Sequence, residues 1–217
     1  MQPLPDLPDL PDPLISAFPA RFAEDVEAVL AVMPAAQLEP VGFFPVGVEG
    51  REVSIPGRLY HDEPSAELVA ALSPRQQRIL HCLYSRHCDG RVRQRHLAEI
   101  VGHVDPWVVP YVLQLTGEYV VEILVAVLDG LRDLAAPGNP GHIAYGRFIV
   151  ENPLHFARTQ RRVVSYWNCY YRSVWSSFRG YPGCVLLDLF RSAASDSAGR
   201  PWPSLAPEAR ARVDGYC

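Results

Sequence analysis

The chain has 217 residues, a formal net charge of −4 and 48% hydrophobic residues. This composition is typical of a soluble globular protein and excludes a collagen-like chain, a wholly disordered chain and a small disulfide-stapled protein. A chain of this length buries about 70% of the surface that its unfolded form exposes, so it can hold a large hydrophobic core.

All 20 basic residues are arginines, and the chain also contains 21 prolines. This bias runs along the whole chain and indicates a protein from a bacterium with a GC-rich genome. The alternative is selection for arginine as a residue that makes paired hydrogen bonds to phosphate or carboxylate groups.

Residues 1–17 predict a proline-rich, extended leader in which a Pro-Asp-Leu triplet repeats. Proline fixes its backbone and lacks an amide hydrogen, so it cannot continue a helix or a central strand here. Two interpretations stay open. The leader is disordered, as chain termini often are, or it docks on a surface through Leu4, Leu7 and Leu10.

Residues 18–195 predict a single helical domain, and residues 196–217 predict a partly ordered C-terminal tail. Apolar residues at helical spacing predict a helix over 19–33, and a turn at Glu49-Gly50 predicts a β-hairpin over 41–60. From residue 64 onward, capping residues, prolines and glycines mark a series of helices. The predicted fold class is mainly α, an irregular multi-helix bundle with a small β-hairpin near the N-terminus.

Two long helices are expected to meet at the centre of this bundle. The first covers the apolar segment 108–134, with breaks near Pro110 and at Thr116-Gly117. The second covers 153–178 and carries a stripe at steps of three and four residues, which places its members on one face. The stripe consists of Phe156, Gln160, Val163, Trp167, Tyr170, Val174 and Phe178.

An arginine-rich stretch predicts a surface for an anionic partner. Residues 75–96 hold six arginines against one aspartate, a local charge of +5. Residues 74–113 around it resemble the general helix-turn-helix pattern, which makes nucleic-acid binding one alternative function. The second helix offers almost only Gln114 for contacts to bases, and two core helices joined by a tight turn explain the same residues. The arginines are Arg75, Arg78, Arg86, Arg91, Arg93 and Arg95.

Glu118 and Glu122 are the candidate catalytic residues. They lie four residues apart among apolar neighbours, so we expect both on one half-buried helix face. Buried carboxylates perform acid–base chemistry or bind ligands, which makes an enzyme or small-ligand binder a second alternative. A structural ion pair with Arg161 or Arg162 is the other interpretation.

The aromatic run over 165–175 predicts an interaction surface. Its off-stripe members, together with two arginines, are residue types that dominate protein interfaces. A ligand pocket and a second packing face are the alternatives. The predicted interaction residues are Arg161, Tyr166, Tyr171, Arg172 and Trp175.

The chain lacks a nucleophile motif, a phosphate-binding loop and a dinucleotide fingerprint, so we expect no cofactor and no metal. Its five cysteines are irregularly spaced and follow no secretory signal, which predicts reduced thiols in a cytoplasmic protein without membrane contact. The leading hypothesis is therefore a non-catalytic protein-interaction or assembly module, with a protein partner or a second copy of the chain.

Overall fold

The computed structural model describes residues 12–136 and 138–205, and it confirms the predicted mainly α fold with one β-hairpin. Residues 1–11 of the leader and 206–217 of the tail lie outside the described residues. Within the described ranges no helix is both long and apolar enough to cross a membrane. The helices are α1 (Ala23–Val32), α2 (Ala66–Ala71), α3 (Pro74–Tyr84), α4 (Gly90–Ile100), α5 (Val109–Thr116), α6 (Val121–Gly130), α7 (Pro140–Glu151), α8 (Pro153–Tyr166) and α9 (Pro182–Ala198).

The end of the expected leader is part of the folded body. Residues Pro13–Ala17 form a 3-10 helix, whereas an extended conformation was predicted over the whole of 1–17. The Asp12 carboxylate accepts a hydrogen bond of 2.8 Å from the Leu14 amide, and proline suits the first position of such a turn. Leu14 and Ala17 are each only 1% exposed, so this turn contributes to the core.

The β-hairpin pairs β1 (Phe44–Val48) with β2 (Arg51–Ile55) in an antiparallel register. Glu49 and Gly50 have φ angles of 53° and 76°, the positive values that a tight two-residue turn between twisted strands requires. Asn152 joins the hairpin to α8, because its side chain accepts from the Gly47 amide (2.7 Å) and donates to the Gly47 carbonyl (2.9 Å).

The apolar segment forms two helices, α5 and α6, separated by a loop that begins at Gly117, one of the two predicted breaks. Every residue of α5 is buried. A helix that enters a DNA groove must expose side chains to bases. Because α5 would be the second helix of the predicted helix-turn-helix, that interpretation does not hold.

The predicted helix over 153–178 is wrong beyond Tyr166, where α8 gives way to a π-helical turn over Trp167–Tyr171. A π turn inserts one extra residue into the helix, so the residues that face the core shift by one position along the sequence. The continuous stripe therefore ends at Trp167, although its last predicted member, Phe178, is also buried, in a separate 3-10 turn (Phe178–Gly180). Tyr170 and Val174 are 62% and 68% exposed.

The final helix, α9, packs closely against α7. A Cβ atom at Gly146 of α7 would lie only 2.3 Å from the Ala193 carbonyl oxygen of α9, so glycine permits this approach. After α9, the chain runs back over α8, and the Leu205 amide donates to Gln160 Oε1 at 3.2 Å.

Candidate functional site

Glu118 lies in the loop between α5 and α6 and is fully buried. Its Oε2 atom is 3.0 Å from Nη2 of Arg58 and 3.4 Å from Nη2 of Arg93, and its Oε1 atom is 3.7 Å from Nη2 of Arg86. The carboxylate is therefore held by three guanidinium groups. The predicted partners, Arg161 and Arg162, make no ion pair with it.

Glu122 does not share the environment of Glu118, and the prediction that both are half-buried on one face is wrong for it. The chain leaves the helix at Gly117 and re-enters it at Val121, so the four-residue spacing does not place the two side chains together. Glu122 is exposed, in the first turn of α6.

Backbone carbonyl groups accept further hydrogen bonds from the two buried arginines. Arg86 donates from Nε to the Pro56 carbonyl (3.2 Å) and from Nη2 to the Gly57 carbonyl (2.9 Å). Arg93 donates from Nη1 to two carbonyls at the end of the preceding turn. Burial lowers the pKa of Arg86 to about 9, although the Glu118 charge opposes this shift, so the guanidinium stays charged at neutral pH. Glu118 balances only one of three positive charges.

A cavity of about 420 Å³ adjoins this cluster and lies between the hairpin segment and α8. Four arginines line it, and among the described residues that line it there is no carboxylate. The volume is within the range of small-molecule sites. We call this cavity the arginine pocket. Its four arginines are Arg58, Arg86, Arg158 and Arg162, and Gln114, His155 and Thr159 also line it.

His155 adds a neutral polar group to the pocket. Its ring stacks on Phe44 with centroids 5.3 Å apart, and its buried Nε2 atom has no hydrogen-bond partner among the described residues. Burial, together with the charges of Arg158 and Arg86, lowers the pKa of His155 to about 4. A buried polar atom without a partner is costly, and a ligand in the cavity could supply the missing bond.

Gly57 sets the position of Arg58 at one wall of the pocket. A Cβ atom at Gly57 would lie 2.7 Å from the Gly42 carbonyl oxygen and 2.9 Å from that of Val41. The Arg58 amide donates to the same Val41 carbonyl at 3.1 Å. This close approach of two backbone segments excludes any larger residue at position 57 without a shift of the wall.

The predicted arginine surface over 75–95 is mostly neutralised by acidic partners. Arg78 pairs with Asp105 at 3.1 Å, and Arg95 pairs with Glu63. Among the described residues Arg91 alone of the six is exposed and makes no ion pair. The others are Arg75, paired with Asp25, and Arg86 and Arg93, paired with Glu118.

Two of the five predicted interaction residues, Tyr171 and Trp175, are half-buried and pack against the core. Tyr171 stacks on Tyr181 at 5.5 Å and donates its hydroxyl to the Tyr119 carbonyl at 2.5 Å. Trp175 also packs on Tyr181, and its carbonyl accepts from the Trp167 indole at 2.9 Å. The π turn is the physical reason, because it rotates these two rings inward.

The remaining interaction residues, Arg161, Arg172 and Tyr166, reach the surface to different extents. Arg161 and Arg172 are exposed, and the Arg172 guanidinium lies 5.9 Å from the Trp167 ring centroid. Tyr166 is half-buried. Of the five predicted interaction residues, two are therefore exposed and three are half-buried.

The sequence-based candidates do not include Arg58, Arg158 or His155. These residues come from distant parts of the chain, and only the fold brings them together. One local signal was present, since residues 155, 158 and 162 are spaced to share a face of α8.

Comparison of the chain with protein-family models, with curated proteins and with solved structures finds no match. Within residues 12–136 and 138–205, no group of three or more histidine, cysteine, aspartate or glutamate side chains is placed to hold a metal ion.

Proposed function

We propose that this protein binds a small anionic molecule, bearing a phosphate or carboxylate group, in the arginine pocket. The observation that carries the proposal is the convergence of four arginines on one cavity whose described lining contains no carboxylate. Glu118 offsets part of this charge, but it is fully buried and does not line the cavity.

The pocket combines fixed and free guanidinium groups. Arg58 is held by Glu118 and by the Gly57 carbonyl, so little conformational freedom is lost when it meets a ligand. Arg86 is held by the same two groups and is fully buried, so it adds positive charge to the wall of the pocket. Arg158 and Arg162 follow one another by one turn of α8 and make no ion pair within the described chain. Their planar donor groups match the oxygens of phosphate and carboxylate.

This proposal develops the small-ligand alternative, with arginines rather than Glu118 as the contacting groups. Glu118 is fully buried between three guanidinium groups and does not line the cavity, so we assign it a structural role. A protein partner or a second copy of the chain is a second candidate, favoured by Leu154 and Val174, which are 76% and 68% exposed. We further propose a cytoplasmic location, supported by the exposed free thiols of Cys88 and Cys169.

Titration calorimetry of the full chain with pyrophosphate and with citrate, at low salt, tests the proposal. Each charged hydrogen bond contributes about 1.5–3 kcal/mol, so the double variant Arg158→Gln, Arg162→Gln should bind at least about tenfold more weakly. Arg161→Gln is the matched control, because Arg161 is exposed on the same helix and does not line the pocket. Absence of binding to the wild-type chain, or equal binding by the double variant, would overturn the proposal.

A further inference from the structure

Three tyrosines form an aromatic surface beside the arginine pocket, hereafter the tyrosine platform. It consists of Tyr119 from the loop between α5 and α6, Tyr166 at the end of α8, and Tyr170 in the π turn. The ring centroids are 6.1 Å apart for Tyr119 and Tyr166, 6.4 Å for Tyr119 and Tyr170, and 6.1 Å for Tyr166 and Tyr170. The rings contact one another rather than the core.

The platform is exposed, yet its backbone is held in place. Tyr119 and Tyr170 are 51% and 62% exposed, so about half or more of each residue is in contact with water. The Tyr119 carbonyl accepts the Tyr171 hydroxyl, which fixes the loop against the π turn. Exposed and fixed aromatic faces are typical of surfaces on which flat rings stack.

Arg162 connects the platform to the pocket. Arg162 lines the cavity, and its guanidinium carbon lies 5.8 Å from the Tyr166 ring centroid. Gly117, two residues before Tyr119, also lies against Arg162, since a Cβ atom there would be 3.5 Å from Nε. One small molecule could therefore place an anionic group among the arginines and a flat ring on the tyrosines.

We infer that the ligand is a nucleoside phosphate, whose phosphate occupies the arginine pocket and whose base stacks on the tyrosine platform. This inference rests on the proposed anion-binding function and adds the chemical class of the ligand. Nucleobases stack on aromatic side chains largely irrespective of sequence, because every base has a flat π face. The arginines supply the phosphate contacts.

The test compares two ligands that share a phosphate and differ in the base. Titration calorimetry with AMP and with ribose 5-phosphate measures what the base adds to binding. Stacking on aromatic residues strengthens binding by about 5- to 150-fold, so AMP should bind more tightly than ribose 5-phosphate by a factor in this range. The double variant Tyr119→Leu, Tyr170→Leu should lose this preference and keep its affinity for ribose 5-phosphate.

The double variant Tyr119→Phe, Tyr170→Phe is the matched control, because it keeps both rings and should keep the preference for AMP. Unchanged binding of ribose 5-phosphate by the leucine variant also shows that its pocket is folded. Equal affinity of the wild-type chain for the two ligands overturns this inference and leaves the anion-binding proposal standing. Absence of binding to pyrophosphate, ribose 5-phosphate and AMP alike overturns both.

Discussion

Replacement of Glu118 by glutamine should strongly destabilise the fold. The substitution keeps the shape of the side chain but removes the only negative charge that contacts Arg58, Arg86 and Arg93 within the described chain. Arg86 and Arg93 are 0% and 1% exposed, so water cannot solvate the charges that remain. Removal of one partner from a buried ion pair costs about 3–5 kcal/mol.

A loss of this size is a large part of the whole stability of a domain, which is about 5–15 kcal/mol. Urea unfolding followed by tryptophan fluorescence measures it as a shift of the midpoint. Glu122→Gln is the matched control, because Glu122 is exposed four residues away and should change stability by less than about 0.5 kcal/mol. If Glu118→Gln costs less than about 1 kcal/mol, the carboxylate does not organise the three arginines and the reasoning fails.

Three further perturbations test other parts of the structure. The pKa of His155 is lowered to about 4 from an ordinary 6.5, so on acidification the unfolded chain takes up this proton first, and stability is lost as the pH falls between those values. The lost free energy of unfolding reaches about 3 kcal/mol at the acidic end of this range, and it should be smaller in His155→Phe. Urea unfolding at both ends of the pH range measures it, and equal losses in the two proteins would contradict the prediction. Gly57→Ala should lower stability by about 1–3 kcal/mol in thermal unfolding, because the added Cβ atom would clash with the Gly42 carbonyl. The same variant should bind pyrophosphate more weakly, and an unchanged melting temperature would count against this close contact. Trp175→Ala should lower stability by about 2 kcal/mol without changing the mass measured by light scattering, and a change in mass alone would restore the predicted interaction role.

Local signals in the sequence predict much of the fold. Ser73 and Gln76 form the capping box that starts α3, with the Ser73 amide donating to Gln76 Oε1 at 2.9 Å. The turn at Glu49-Gly50 and the break at Gly117 are also where the sequence places them. These features depend on a few neighbouring residues, so short-range preferences are sufficient to predict them.

The π turn after α8 could not be predicted from residue spacing. The sequence pattern of apolar residues at steps of three and four does not distinguish an α-helix that continues from one interrupted by a π turn. At this turn, Tyr171 and Trp175 pack on Tyr181, which directly precedes α9. Long-range packing of this kind overrides the local pattern, and it leaves two predicted surface residues half-buried against the core.

The candidate site was predictable only in part. Glu118 stands out in the sequence because a carboxylate among apolar residues needs a partner. Its partners, Arg58, Arg86 and Arg93, lie 60, 32 and 25 positions before it along the chain, and the sequence does not indicate which of 20 arginines they are. The pocket is lined by residues from segment 41–58, from α8 and from the chain between them, so only the fold brings its lining together.

The most direct test of the anion pocket is a crystal structure of the full chain soaked in tungstate, with the anion located by anomalous scattering. Tungstate carries the charge and the tetrahedral oxygens of a phosphate group, so it should occupy the arginine pocket within hydrogen-bonding distance of Arg158 and Arg162. We expect the strongest anomalous peak to lie there and to disappear in the Arg158→Gln, Arg162→Gln variant. An empty pocket in crystals that bind tungstate at other arginines, such as the exposed Arg91, would contradict it.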